Sequence, residues 1–435
     1  MSLADTIAVL PLETPPDAVI PVPGSKSITN RGLVLAALAD GVTEIVNALD
    51  SDDTQVMAEA LRALGIQTEC DPAARTIRVT GCCGRIPAAS ARLFLGNSGT
   101  SIRFLAALCS LGHGEYRFDG TERMRARPQA GLLDGLRAQG VGITFDGVVG
   151  CAPFTLHANG LAGGTMELSP AESSQFLSAL LMAAPYAQLP MAISILGDLR
   201  PNYVAMTCAM MARFGVECGE SDGVWRSASG PYLPPGRLTV EPDASSASYF
   251  FAAAAITGGR VTVPGLNHDS LQGDVAFTEV LRSMGCRAED TAEGLCVEGP
   301  PPGCLQGVDR DMRFISDTSL TLAAIAPFAT TPTTIRGIAH SRLQESDRVS
   351  AMCTELRRLG VTVHERPDGM TIEPAAHMNG ATLDTWQDHR VAMSLAITAL
   401  RSPGVVLRDP ACAGKTFPEF WQTLELLRLR RPSGV

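Results

Sequence analysis

A helix that ends in glycine recurs along this chain at nearly constant spacing. A period of that kind restricts the fold to an array of like units. The marker runs Leu61 to Ile66, Leu136 to Val141, Met211 to Val216, Leu281 to Cys286 and Leu356 to Val361. Its glycines, Gly65, Gly140, Gly215, Gly285 and Gly360, fall 75, 75, 70 and 75 residues apart. Gly just past a helix suits the left-handed C′ position, and the Ile, Val or Cys that follows begins a strand. A sixth helix, Glu419 to Leu429, lacks the glycine.

A second marker lies between these helices. Six uncharged runs, Leu33–Leu38, Phe104–Leu108, Phe176–Leu181, Tyr249–Ala254, Leu320–Ile325 and Val391–Ala396, each follow a cluster of small polar residues. A helix without charge on any face is buried. Short β-rich segments follow each one: 43–46, 116–118, 192–195, 261–263, 333–335 and 405–407. Each unit reads roughly as strand, amphipathic helix, strand, buried helix, strand, which makes the chain α/β. Six units do not close easily round one core in 435 residues, so two groups of three are expected.

The start of a buried helix carries unpaired N–H groups and partial positive charge, which favours anions. Ser, Asp and Asn at these starts act as N-caps. Capping does not account for Lys26, Arg31, Arg103, His389 and Arg390 in the same turns. Composition sharpens the point. Only two lysines, Lys26 and Lys415, stand against 33 arginines, and both sit in polar clusters at the ends of apolar segments. Lys persists in so Arg-rich a chain where a compact ammonium with a transferable proton is needed.

Net charge is −10, so nucleic acid and anionic membranes are poor partners, and an anion site must gather its cations locally. The 12 cysteines form no CxxC pair and no zinc-like cluster, which suits a reducing cytoplasm and no metal. The first residues lack the pattern of a signal peptide. No apolar run approaches the length of a membrane span.

At Val22 to Arg31, with Lys26 in its centre, the sequence resembles the enolpyruvyl transferase family. The likeness covers nearly the whole chain. It continues through Leu95–Thr100, Arg123–Pro128, Ser173–Phe176, Asp243–Tyr249, Gln272–Asp274 and Ser316–Thr318. It ends with Glu345–Arg348, Asp388–Arg390 and Asp409–Pro418. The resemblance implies a two-lobed inside-out α/β barrel of six βαβαββ units, three per lobe. It implies lobes of 24–241 and of 1–23 with 242–435, an active site in the cleft between them, and a monomer without cofactor. The implied reaction moves the enolpyruvyl group of phosphoenolpyruvate to the 5-hydroxyl of shikimate 3-phosphate and releases phosphate, a step toward chorismate and the aromatic amino acids.

By motif, Lys26 would exchange a proton with the hydroxyl, Asp317 would act as base, and Glu345 would shuttle the proton at the methylene carbon. The acceptor would lie against Lys26, Ser27, Arg31, Ser173, Ser174, Gln175, Tyr203, Asp317, His340 and Gln344. Phosphoenolpyruvate would lie against Lys26, Asn97, Gly99, Arg127, Gln175, Arg348, Arg390 and Lys415. Gly99, without a Cβ, would leave room there for the inhibitor glyphosate. Three departures fall on the acceptor side: His340 where the family often has Asn, Gln344 where it usually has Lys, and a Ser missing from Leu199–Tyr203. Arg200 or His340 would compensate. The alternative is a paralogue acting on a different hydroxylated acceptor. The cell-wall relative that uses a UDP-sugar is disfavoured, because Arg123–Pro128 holds no Cys.

Overall fold

The computed structural model describes residues 5–169, 173–197, 199 and 201–429. It divides into two compact units, Gly24–Val240 and a second built from Met1–Pro23 with Glu241–Val435. Arg200 lies outside the described residues.

In the first unit the helices are α1 (Lys26–Leu38), α2 (Asp52–Ala63), α3 (Gly99–Cys109), α4 (Glu122–Arg125), α5 (Ala130–Ala138), α6 (Gln175–Ala183) and α7 (Asn202–Arg213). In the second they are α8 (Ala244–Thr257), α9 (Phe277–Ser283), α10 (Ser319–Ile325), α11 (Arg348–Arg358), α12 (His389–Ala399) and α13 (Phe420–Glu425). The expected uncharged runs lie in α1, α3, α6, α8, α10 and α12. Every residue of α3, α8, α10 and α12 is buried. Helix α3 packs on α1 and on α6, and α8, α10 and α12 pack on one another. Each unit therefore has helices at its centre and sheets around them.

The described strands form five four-stranded sheets and one three-stranded sheet. Unit two of the repeat shows the pattern. Strand Ser90–Phe94 pairs in parallel with His113–Asp119, across the crossover made by α3. The amphipathic α5 then leads into an antiparallel hairpin, Gly142–Phe145 and Phe154–Asn159, which joins the same sheet. The order is βαβαββ, with one more strand per unit than the sequence pattern gave. The strand that follows each repeat glycine, such as Gln67–Asp71, is the one expected there; the missed strand is its hairpin partner, such as Thr76–Thr80, which alternates polar and apolar residues and so presents no apolar run.

Three repeats take a strand from elsewhere in the chain. Arg237–Thr239 pairs in parallel with Val42–Val46 and completes the first sheet of its lobe. Near the N-terminus, Asp17–Val19 pairs with Arg260–Pro264, and Thr6–Ala8 pairs with Val406–Arg408. The repeat glycines have the left-handed backbone their position demands: φ is +81° at Gly65, +89° at Gly140, +80° at Gly215, +100° at Gly285 and +85° at Gly360.

Candidate active site

In the lobe of residues 24–240 the cations gather where the buried helices begin. Ser25 caps α1, its hydroxyl accepting from Ile28 N at 3.5 Å, and Lys26 is the first helical residue. A cation there opposes the helix dipole, at a cost of about 0.3–1 kcal/mol, which a purely structural helix would avoid. Its Nζ lies 3.3 Å from Oδ2 of Asp53, itself in the first turn of α2.

One turn further on, Arg31 is buried. Its Nε donates to the Thr207 hydroxyl at 2.7 Å, and its terminal nitrogens donate to the carbonyls of Ser27 and Tyr203, each at 3.1 Å. Phe104 and Tyr203 present their ring faces to the guanidinium at 5.1 and 5.9 Å. Burial pushes its pKa down to about 10, so it remains charged at neutral pH.

Arg103, on α3, ties two helix starts together. It donates to Gln129 at 3.0 Å, to the Ser173 hydroxyl at 3.2 Å and to Gln175 Oε1 at 2.7 Å. Gln175 in turn donates through Nε2 to the Thr100 hydroxyl at 3.1 Å. Buried Ser174 immediately precedes α6. Arg127 is buried and donates to the Asn97 carbonyl at 3.1 Å and its Oδ1 at 3.2 Å. Gly99 lies against this guanidinium: a Cβ there would stand 2.4 Å from Arg127 Nη2. The hydrogen bonds named here join Arg31, Arg103 and Arg127 to neutral oxygens and fix three buried guanidiniums at the helix starts, where forked N–H donors suit an anionic ligand.

The lobe of residues 241–435 carries a different arrangement, in which cations and carboxylates alternate. Arg348, the first residue of α11, is its hub. It donates to Asp388 Oδ2 at 2.8 Å, to Glu345 Oε2 at 2.8 Å, to Asp317 Oδ1 at 3.3 Å and to Gln344. Burial alone would lower its pKa, but Asp388, Glu345 and Asp317 outweigh that and hold it above the usual arginine value. Arg390 donates to Asp317 Oδ2 at 2.6 Å, and Lys415 Nζ donates to Glu345 Oε1 at 2.9 Å. Asp388 caps α12, accepting from Arg390 N at 2.9 Å, and also accepts from Ser346 Oγ at 3.0 Å. His340 Nε2 lies 2.9 Å from Ser316 Oγ, one residue from Asp317. Asp274 is buried and bonded to the Ser245 hydroxyl; burial first, then the nearby charge of Asp317, raise its pKa to about 7.

The structure thus gathers Asp317, Gln344, Glu345, Arg348, Arg390 and Lys415 into one connected cluster. It gathers Asn97, Gly99 and Arg127 into a second group and Ser173 and Gln175 into a third. Ser27 and Tyr203 meet Arg31 through their carbonyls. Sequence reasoning counted Arg103 among the cations of the helix starts without giving it a substrate, and assigned no role to Asp53, Thr207, Asp274 or Asp388. Arg103 carried a signal, a cation in the first turns of an uncharged helix. Asp53 and Thr207 carried none, since each belongs to an amphipathic helix where a polar residue is ordinary. Among the described residues no group of three or more His, Cys, Asp or Glu is placed to hold a metal ion, and no helix is long and apolar enough to cross a membrane.

Cationic helix starts in one lobe and a carboxylate–guanidinium–ammonium cluster in the other define an enzyme for small, multiply charged anions, equipped for proton transfer. The model of the EPSP synthase (3-phosphoshikimate 1-carboxyvinyltransferase) family matches residues 13–424, and the chain belongs to that family. A 3-phosphoshikimate 1-carboxyvinyltransferase of Nostoc punctiforme is 48% identical over 427 residues, covering 97% of this chain and 100% of that one. The chloroplastic 3-phosphoshikimate 1-carboxyvinyltransferase of Brassica napus is 44% identical, covering 94% and 82%. The solved structure of EPSP synthase from Acinetobacter baumannii matches with a TM-score of 0.81 at 25% identity, covering 98% of this chain and 99% of that one.

Proposed function

We propose that this chain transfers the enolpyruvyl group of phosphoenolpyruvate to the 5-hydroxyl of shikimate 3-phosphate and releases phosphate, and that both clusters serve that one pair of substrates. The observation that carries the reading is the cluster of Asp317, Glu345, Arg348, Arg390 and Lys415, in which two carboxylates are each held between two cations. Arg31, Arg103 and Arg127 add buried guanidiniums at the helix starts of the other lobe. Two substrates that each bear a carboxylate and a phosphate supply the matching charge, and planar guanidinium forks suit both groups.

The chemistry is addition followed by elimination. The acceptor hydroxyl attacks C2 of phosphoenolpyruvate, loses its proton, and C3 gains one. A proton then leaves C3, the C2–O bond to phosphate breaks, and the enol ether remains. Three groups with movable protons suit these steps. Lys26 takes the hydroxyl proton and holds both substrates. Asp317 orients the acceptor hydroxyls and assists as base. Glu345, held between Arg348 and Lys415, gives the proton to C3 and takes one back. Arg127 and the backbone at Gly99, with Arg348, Arg390 and Lys415, hold phosphoenolpyruvate. Arg103 is a positioning residue that fixes Ser173 and Gln175 for the acceptor phosphate and ring. His340 and Gln344 take the places of the family's more usual Asn and Lys on the acceptor side.

Phosphate release from phosphoenolpyruvate tests the reading. Release that depends on shikimate 3-phosphate, and enolpyruvyl product recovered in equal amount, is the expected result. A folded protein that releases no phosphate with shikimate 3-phosphate overturns it.

A further inference from the structure

Cys208 and Cys218 have no place in the reaction above, yet their sulfur atoms lie 2.6 Å apart. That is about 0.5 Å beyond the ~2.05 Å of an S–S bond and inside the ordinary contact of two non-bonded sulfurs. We propose that Cys208 and Cys218 form a reversible disulfide that staples α7 to the strand Cys218–Ser221 of its own lobe.

Three observations support this site. Cys208 lies in the middle of α7 and Cys218 at the first position of the strand that follows, and α7 packs on that strand, so the bond would link two elements already in contact. Cys208 is also primed as the nucleophile. The Cys218 thiol donates to it, and the Arg31 guanidinium lies near enough to favour the thiolate; together they hold its pKa below the usual thiol value against the effect of burial. Thirdly, the pair is reachable, since Cys208 and Cys218 are each partly exposed, and Cys218 opens on the surface. It lines an open surface depression of about 350 Å³ with Glu220, Val224 and Arg226, wide enough for a small oxidant or reductant.

With hydrogen peroxide as oxidant the electrons balance. The Cys208 thiolate attacks one peroxide oxygen, the O–O bond breaks, and hydroxide leaves as Cys208 becomes a sulfenic acid. The Cys218 sulfur then attacks the Cys208 sulfur; the S–S bond forms, and the sulfenic hydroxyl departs as water with the Cys218 proton. Two thiols lose two electrons and one peroxide becomes two waters. A thiol reductant reverses the step by exchange. The consequence is local. Helix α7 also carries Thr207 and Tyr203, which hold Arg31, so the staple fixes the helix that supports that guanidinium.

The test needs no substrate. The full chain is treated with micromolar hydrogen peroxide, its thiols are counted, and its peptides are mapped by mass before and after dithiothreitol. Cleavage after Arg213 places the two cysteines on separate peptides. Expected are the loss of two thiols, a linked Cys208–Cys218 peptide that separates on reduction, and slower amide exchange in α7 of the oxidised protein. In Cys218→Ser, which keeps the side-chain volume, the linked peptide is absent and α7 exchange does not respond to peroxide. Separate oxidation products on the two cysteines, or oxidation no faster than at the exposed Cys70 and Cys304, overturn the disulfide. A linked peptide with unchanged α7 exchange overturns the staple.

Discussion

Gly99 is where the chemistry of the site depends most directly on a missing side chain. Its Cα faces the Arg127 guanidinium, and an added methyl would sit 2.4 Å from Nη2 and 2.9 Å from Cζ. Arg127 is buried and bonded to Asn97, so it has little space to retreat. Gly99→Ala should therefore displace that guanidinium, raise the KM for phosphoenolpyruvate by roughly ten-fold or more, the scale of one charge-assisted hydrogen bond, and weaken inhibition by glyphosate. Steady-state kinetics at several phosphoenolpyruvate concentrations check it; an unchanged KM would mean that Arg127 does not hold that substrate. Asp274 makes a second case. Its pKa is raised from 3.8 to about 7 by burial and by Asp317. A carboxyl whose folded pKa exceeds its unfolded value favours the folded state at low pH. Stability from it is lost as pH rises from about 4 to about 7, by at most about 4 kcal/mol. Asp274→Asn should remove this term, so its stability relative to wild type should grow between pH 4 and pH 7 and level off above. Urea unfolding of both proteins at three pH values decides the matter. A difference that is flat with pH would show that Asp274 titrates normally.

At the level of elements, the repeat glycines separate two costs that usually come mixed. Gly140 and Gly65 both have left-handed backbone, but a Cβ on Gly140 meets nothing within 4 Å, whereas one on Gly65 falls 2.9 Å from Pro87 Cβ. Gly140→Ala should lose only the conformational term, about 1–2 kcal/mol. Gly65→Ala should lose that and more, since a ring carbon on the chain must shift. Equal losses in denaturant unfolding would show that the Pro87 loop yields freely. These helix ends were legible in the sequence because Gly at C′ and a period near 75 residues repeat the same message five times. The buried helices were legible because charge is absent from runs such as Tyr249–Ala254 over more than a full turn. The second hairpin strand was not, because Thr76–Thr80 alternates polar and apolar residues and presents no apolar run. The site divides in the same way. Cations at helix starts stood out against the dipole rule, so Lys26, Arg103 and Arg390 drew notice. Residues that act through others did not. Asp388 is buried under Arg348, and Asp53 sits beside Lys26, by virtue of folding that brings together positions 27 to 40 residues apart.

For the molecule as a whole, the unusual fact is that the first residues belong to the lobe that is completed last. Thr6–Ala8 forms the antiparallel edge against Val406–Arg408, and Asp17–Val19 lies in parallel with Arg260–Thr262. Between the two strands, Leu12 N donates to the Leu400 carbonyl at 2.9 Å, and Arg428 donates to the carbonyls of Leu10 and Pro11 at 2.6 and 2.9 Å. Val9, Ala18, Ile20 and Val22 are all in the core of this lobe, with Ile20 fully buried. Burying a Val or Ile side chain contributes about 1.5–3 kcal/mol, so three such residues and the strand bonds approach the 5–15 kcal/mol that holds a whole domain folded. The other lobe is continuous in sequence and closes its own first sheet with Arg237–Thr239, without help from the N-terminus. Removing residues 1–22 should therefore act on one lobe only. The shortened protein is expected to lose the cooperative unfolding transition of the lobe of residues 241–435 and all enolpyruvyl transfer, while the fragment 24–240 alone unfolds cooperatively. Adding a peptide of residues 1–22 in excess should restore part of the lost transition, because the peptide's binding and the lobe's folding are linked. Calorimetry on the three preparations tests this. Two intact transitions in the shortened chain would show that the strand additions decorate a lobe already stable on its own.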